Sequence, residues 1–257
     1  MKPVAIFQHD PLQRPGCLLR YLDEVGIASR IVRADEHDEV PRTARLFSGI
    51  VFLGSDCSVN DRLPWIEREL RVARDAIACD VPVLGHCFGG QLLARALGAE
   101  VHRGAGPDIG WSRLRTTPAA RPLFGGQADV LAFNWHYETF AIPRGATRIL
   151  FGAHCLNKGF VAGRHLAFQS HLEVTEEIIR GWCAARRGEL AAATGPAVQH
   201  EAEILARLAE RIAAVHRSTR SAYALWAAPM VRPPRPVYSA IFGRATRRPA
   251  SHGAPRG

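Results

Sequence analysis

No stretch of about 18 uncharged apolar residues, the length that spans a bilayer, occurs anywhere in the 257 residues. A membrane-spanning helix is therefore not expected. The start, MKPVAIFQHDPL, meets a charge too early for the apolar region of a secretory leader, so the expected compartment is the cytoplasm. Paired cysteines are missing as well: Cys17, Cys57, Cys79, Cys87, Cys155 and Cys183 are scattered, with no CxxC and no histidine at zinc-ligand spacing. Most of them should be reduced core thiols, with about one reactive. His102, His154 and His165 sit on strand-like segments without ligand spacing, so no metal or cofactor is expected. GxGxxG and GxxxxGK[ST] are absent, which leaves the chain without a nucleotide-phosphate loop of its own.

Acidic residues are missing from one place in particular. From Pro229 onward the chain carries Arg232, Arg235, Arg244, Arg247, Arg248 and Arg256 and no Asp or Glu, so six of the nine net positive charges belong to the last 29 residues. The rest is nearly balanced, and neither a membrane nor a specific nucleic acid is expected as partner. Residues 229–257, rich in Arg, Pro and Gly and without periodicity, read as a disordered tail to a domain of residues 1–228.

The domain has ample apolar content for a core, at 47%. VAIFQH (4–9), IASRIV (27–32), GIVFLG (49–54) and VPVLG (81–85) are short runs rich in branched apolar residues, and they read as strands buried on both faces. CLLRYLDEVG and PWIERELRVARDAIACD between them carry apolar residues at helical spacing, with Pro64 placed for a first turn. Alternating strand and helix predicts a parallel sheet covered by helices. EVHRGAG, IGWSRLRTT, ADVLAFNWH, ATRILFG and FVAGRHLAFQSH then predict an antiparallel or mixed extension of that sheet. Helices follow in EVTEEIIRGWCAARRGELAAA, with acids near its start, and from Gln199 to about Trp226.

The strand VPVL runs into GHCFGGQ, where Gly85 and Gly89 permit a sharp turn into a helix. Such a turn exposes Cys87 at the carboxyl edge of a parallel sheet, where open α/β folds bind ligands, and aims helix amides at its sulfur, favouring the thiolate. A plain glycine-rich turn with a small apolar Cys fits the same seven residues. A nucleophilic thiol needs a base and an orienting partner; His171 and Glu173, two apart on an extended segment, face the same side and supply a candidate pair.

Together these segments resemble the class I glutamine amidotransferases with a Cys, His, Glu triad. GHCFGGQLLARALGAEV is similar to that family's GxCxGxQ elbow and helix, LAFQSHLEVT to its closing motif, and GIVFLGSDCSVND to its oxyanion loop. IGWSRL and FNWHYETFAIPRGATRIL resemble segments of the stand-alone branch labelled GMP-synthase-like. The likeness runs from Val4 to about Glu177. It implies a flavodoxin-like open mixed, mainly parallel sheet with helices on both faces. It also implies Cys87 as nucleophile, His171 as base, Glu173 as its orienting partner, and the amides of Phe88 and of the Gly54–Ser55 turn as oxyanion hole. Gln91 and His136 would lie beside bound glutamine, with Glu138 near its ammonium group, and a synthetase on another chain would take the ammonia.

Four residues depart from the family pattern. Ser55 and Asp56 follow Gly54 where a glycine and then a proline are usual; serine resists a positive φ, and an aspartate would put negative charge beside a developing oxyanion. His86 replaces an aliphatic residue, and is expected to make a structural hydrogen bond. Ser170 stands where an aromatic is common. Hydrolysis of γ-glutamyl peptides or amines, and a non-catalytic binding module, are the alternatives to glutamine hydrolysis.

Overall fold

The computed structural model describes residues 2–34 and 39–231. In chain order β1 (Val4–Gln8), α1 (Gly16–Glu24), β2 (Ser29–Arg33), β3 (Gly49–Phe52), α2 (Pro64–Ala78), β4 (Val83–His86) and α3 (Phe88–Ala96) form the alternating half. Then come β5 (Val101–Thr116), β6 (Asp129–Phe140), β7 (Thr147–Phe151), β8 (Gly159–Ala162) and β9 (His165–Phe168). Helices α4 (Glu176–Ala185), α5 (Arg187–Ala192), α6 (Glu201–Leu205) and α7 (Leu208–Val231) follow.

The nine strands of the described residues form one sheet in the order β2-β1-β3-β4-β9-β8-β7-β5-β6. β2, β1, β3, β4 and β9 run parallel, and pairing from β9 outward to β6 is antiparallel. Side chains alternate across a strand, so each central strand feeds two cores. Val4, Ile6, Val51, Leu84 and Leu166 face a core shared with α1, α4 and α7, whereas Ala5, Phe7, Ile50, Phe52 and Val83 face one shared with α2 and α3.

IASRIV was expected to be buried on both faces, but β2 is an edge strand on which Arg30 and Ile31 are exposed and Val32 alone is buried. EVHRGAG and IGWSRLRTT are one strand: β6 carries the pairing across an irregularity between Arg103 and Asp108. The last helix continues past Trp226, through Pro229, to Val231. The rest of the Arg- and Pro-rich tail lies outside the described residues. Among the described residues no helix is long and apolar enough to cross a membrane.

β4 and α3 join without slack. A Cβ on Gly89 would sit 2.0 Å from the Phe52 carbonyl oxygen, and one on Gly85 would sit 2.3 Å from that of Gly89. Backbone cannot yield as a side-chain tip can. Gly89→Ala is therefore expected to destabilise the fold by about 1–3 kcal/mol or more, read as a lower urea midpoint.

Candidate active site

Cys87 lies between the end of β4 and the start of α3 with φ +52° and ψ −110°. Among the described residues only Asp80 and Arg207 share a positive φ outside glycine. A side chain in such a backbone region costs about 1–3 kcal/mol and persists only where the surroundings enforce it. Here the Cys87 N–H donates to the Phe168 carbonyl (2.9 Å), the Gly89 N–H to that of Leu53 (3.1 Å), and the Cys87 carbonyl accepts from Gln91 N–H (3.0 Å). The turn places Cys87, 6% exposed, in the wall of a cavity of about 410 Å³.

His171 and Glu173 are buried just beyond β9. The His171 N–H donates to the Phe133 carbonyl, and its ring Nδ1 lies 2.7 Å from Glu173 Oε1, the ring standing T-shaped to Trp182 (centroids 4.7 Å apart). The Glu173 carbonyl accepts from the Cys17 N–H of α1 (2.8 Å). With Nδ1 on the carboxylate, Nε2 is left for the Cys87 sulfur, whose charge acts on the ring; in this structure the Cys87 thiol donates to the Trp135 carbonyl (3.9 Å) and its sulfur accepts from Gln169 Nε2 (3.9 Å). Burial would push the imidazole pKa down, but the Glu173 carboxylate and then the Cys87 sulfur outweigh it and raise it to about 10. Burial likewise pushes the Glu173 carboxyl up, while His86 and His171 together hold it below the usual range. Thiol, imidazole and carboxylate thus lie together, with the imidazole oriented by the carboxylate.

Gly54, after β3, is set from below. Its carbonyl accepts from His9 Nδ1 (2.9 Å), and His9 Nε2 lies 2.9 Å from Glu69 Oε2, both side chains fully buried. A Cβ on Gly54 would come 2.9 Å from the His171 ring, so glycine is needed for close approach. Neither Gly54 nor Ser55 has a positive φ, so the strain expected of Ser55 does not arise. Ser55 Oγ accepts from the Cys57 N–H (3.1 Å). Asp56 is turned aside: both its oxygens lie 2.7 Å from Arg186 Nη2. Phe88 opens α3, where an N–H has no partner within the helix.

On the far wall, Gln91 Nε2 donates to the Glu138 carbonyl (3.1 Å), and Glu138 Oε2 accepts from the Ser58 hydroxyl (2.8 Å). His136 lines the cavity with both ring nitrogens engaged: Nδ1–H donates to the Glu138 carbonyl (3.0 Å) and Nε2 accepts from Lys158 Nζ (2.8 Å). Burial, and then Lys158, hold its pKa well below the usual value, so it is neutral. Buried Lys158 is itself fixed by Asp108 (2.6 Å) and Asn134 (2.8 Å), and Ser170 donates to that same Asn134 oxygen (2.7 Å).

Ser55, Gln91, His136 and Glu138 therefore share one cavity with Cys87; Gly54, Phe88, His171 and Glu173 stand behind its wall. Sequence reasoning missed Arg186 and Glu189, which come from the helical region after the closing motif. Glu189 Oε1 accepts from Trp135 Nε1 (2.9 Å) and the Tyr137 hydroxyl (2.8 Å). No motif marks them, because helical periodicity says which face packs but not which loop it covers.

Residues 16–178 match the family described as glutamine amidotransferase class-I. A "GMP synthase [glutamine-hydrolyzing]" of Aeropyrum pernix is 30% identical over 133 residues, 52% of this chain and 25% of that protein. The chain thus spans about a quarter of that relative's length. A glutamine amidotransferase-like protein of Salmonella typhimurium is 26% identical over 196 residues, 73% of this chain and 82% of its own. The crystal structure of a glutamine amidotransferase from Methylobacillus flagellatus superimposes with a TM-score of 0.85 at 36% identity, covering 98% of this chain and 100% of that one. With the elbow cysteine, the histidine and the glutamate gathered as described, the chain belongs to the class I glutamine amidotransferase family.

Proposed function

We propose that the chain hydrolyses the side-chain amide of glutamine through a γ-glutamyl thioester on Cys87. The observation that carries this is the strained backbone of Cys87 beside an imidazole whose other nitrogen is held 2.7 Å from Glu173. The Cys87 thiolate attacks the carboxamide carbon, and the electron pair moves to oxygen, which the amides of Phe88 and Ser55 receive. Losing one such donor typically costs about 10²–10³ in rate. His171 as imidazolium gives its proton to the leaving nitrogen, and ammonia departs as the C–N bond breaks. Water then attacks the thioester, His171 takes its proton, and the C–S bond breaks to release glutamate and the thiolate. Gln91 and Glu138 border the amino-acid end, Glu138 facing the ammonium group; Gly54 leaves the space His171 needs. A synthetase on a separate chain takes the ammonia, as the relative named for glutamine-hydrolysing GMP synthesis suggests, and six free cysteines suit the cytoplasm.

Hydrolysis of γ-glutamyl amines or peptides is the second reading, favoured by the cavity of about 410 Å³ with aromatic walls at Trp135 and Tyr137, more room than ammonia requires. The purified protein is incubated with glutamine and with a panel of γ-glutamyl amines and peptides, and ammonia and amine are measured. Preferred ammonia release supports the first reading and preferred amine release the second. Release of neither overturns both and leaves a binding module.

Asp56 is harmless on this account because Arg186 neutralises it. Arg186→Met is expected to lower kcat about tenfold, the effect of one uncompensated charge near a developing oxyanion at intermediate dielectric. Asp56→Asn in the same chain should restore most of it in steady-state assays.

A further inference from the structure

β4 ends on His86, whose ring is fully buried, stacked on Phe168 (centroids 5.5 Å apart) and edge-on to Tyr223 of α7 (6.1 Å). Its Nδ1 lies 3.1 Å from Glu173 Oε2, the oxygen that His171 does not use. Neither atom makes a regular hydrogen bond, so each is the other's nearest charged or polar counterpart at ion-pair distance, with the Ser170 backbone also beside the ring. On the far side, His86 Nε2 lies 3.4 Å from the Tyr223 hydroxyl. Burial, followed by the nearby Cys17 and Glu173, pushes the Tyr223 pKa well above its ordinary value, so the phenol keeps its proton and has it to give to His86 Nε2 or to the Cys17 sulfur. Burial also lowers the His86 pKa against the pull of Glu173, leaving the ring neutral. When the phenol donates to Nε2, the neutral imidazole carries its proton on Nδ1, the nitrogen facing Glu173. The buried order is thus Tyr223 O–H, His86, Glu173, His171, Cys87.

We propose that His86 is a positioning residue for the Cys87 reaction: its Nδ1–H holds the second oxygen of Glu173, keeping the first on His171 through both half-reactions, and Tyr223 fixes the His86 tautomer. A carboxylate held at one oxygen can swing about its last bond, and a swing that frees His171 releases the base from the thiol. His86 also immediately precedes the nucleophile, so the same residue ties elbow and carboxylate together. The inference rests on the proposed hydrolysis, but it concerns the triad's geometry whichever γ-glutamyl compound is the substrate.

The test compares His86→Leu, His86→Asn and Tyr223→Phe with the unaltered protein. Readouts are kcat and KM for the best substrate, melting temperature, and the pH profile of Cys87 alkylation by iodoacetamide, followed on the Cys87 peptide by mass spectrometry. His86→Leu is expected to lower kcat roughly ten- to a hundredfold, as for a lost hydrogen bond to a charged group, with KM within about twofold. The groups facing Glu173 are His171, His86, Cys17 from α1 and Tyr223 from α7. Losing the His86 donor makes Glu173 easier to protonate, so the acid limb of the alkylation profile moves to higher pH. Asparagine, whose Nδ2 can stand in for Nδ1, should recover most of the rate and the profile, and Tyr223→Phe should show a smaller loss of the same kind. Wild-type kcat and alkylation profile in His86→Leu, or asparagine no better than leucine, would overturn the proposal. If His86→Leu does not fold, the asparagine and Tyr223→Phe variants decide it: a wild-type profile in Tyr223→Phe together with a fully impaired asparagine variant overturns it. Alkylation needs no substrate, so it still tests the positioning role if no γ-glutamyl compound is turned over.

Discussion

Replacing Cys87 by alanine is expected to abolish amide hydrolysis, a loss on the order of 10⁶ in kcat as for other serine and cysteine hydrolase nucleophiles, read as ammonia release under saturating glutamine. The scale follows from the route, because no other thiol stands on the β4–α3 elbow beside His171. Cys17 on α1 and Cys183 on α4 have their pKa raised, chiefly by burial, to about 12 and about 11, and Cys57 lines the cavity with its pKa also raised, mainly by burial. Cys87→Gly gives a sharper form of the result. Glycine populates φ near +52° freely, so this variant should be as inactive as alanine yet more stable than it by about 1 kcal/mol, measured by urea unfolding. The pair separates the nucleophile's chemistry from the strain that displays it.

Glu173→Gln should lower kcat by about 10⁴, the size of effect seen where a triad carboxylate becomes an amide and the histidine takes the wrong tautomer. An amide can offer N–H to His171 Nδ1, which then becomes the acceptor and leaves the proton on the nitrogen that must receive one from the thiol. The same substitution should alter stability against pH. The His171 pKa is raised from 6.5 to about 10: burial lowers it, and Glu173 and then Cys87 raise it by more. A raised group stabilises the fold fully below pH 6.5 and loses that contribution as pH rises through about 10. Unfolding midpoints of the unaltered protein should therefore fall across that window. In Glu173→Gln, which lacks the leading stabiliser of the imidazolium, the fall should be shallower. An equal slope in both would break the assigned link between Glu173 and His171.

Residue types pointed to where these side chains would lie, and the family resemblance to what they would do, for physical reasons that differ by element. The elbow could be read because glycine spacing reports backbone crowding: Gly85 and Gly89 stand where a Cβ would strike main chain. His171 and Glu173 could be read because a period of two is a property of the extended chain. IASRIV misled because apolar content cannot show that β2 has a neighbour on one side only, leaving Ile31 37% exposed. The break at Gly104–Pro107 misled because β6, 28 to 35 residues later, pairs on both sides of it, Arg103 with Glu138 and Asp108 with His136. Arg186 answers the charge of Asp56 from 130 residues away, and Glu69 reaches His9 across 60. Such partners are chosen by the folded sheet and its covering helices, and neither carries a local signature. His86 is the intermediate case: its oddity beside Cys87 was visible, while the free oxygen of Glu173 that it faces was not.

The central claim is that glutamine carbon becomes bonded to Cys87 sulfur, and the direct measurement is intact and peptide mass spectrometry of protein mixed with glutamine and acid-quenched during turnover. The account predicts a γ-glutamyl adduct confined to the Cys87 peptide, formed as ammonia is released, and absent from Cys87→Ala. Ammonia release with no adduct on Cys87, or an adduct on another cysteine, would contradict it.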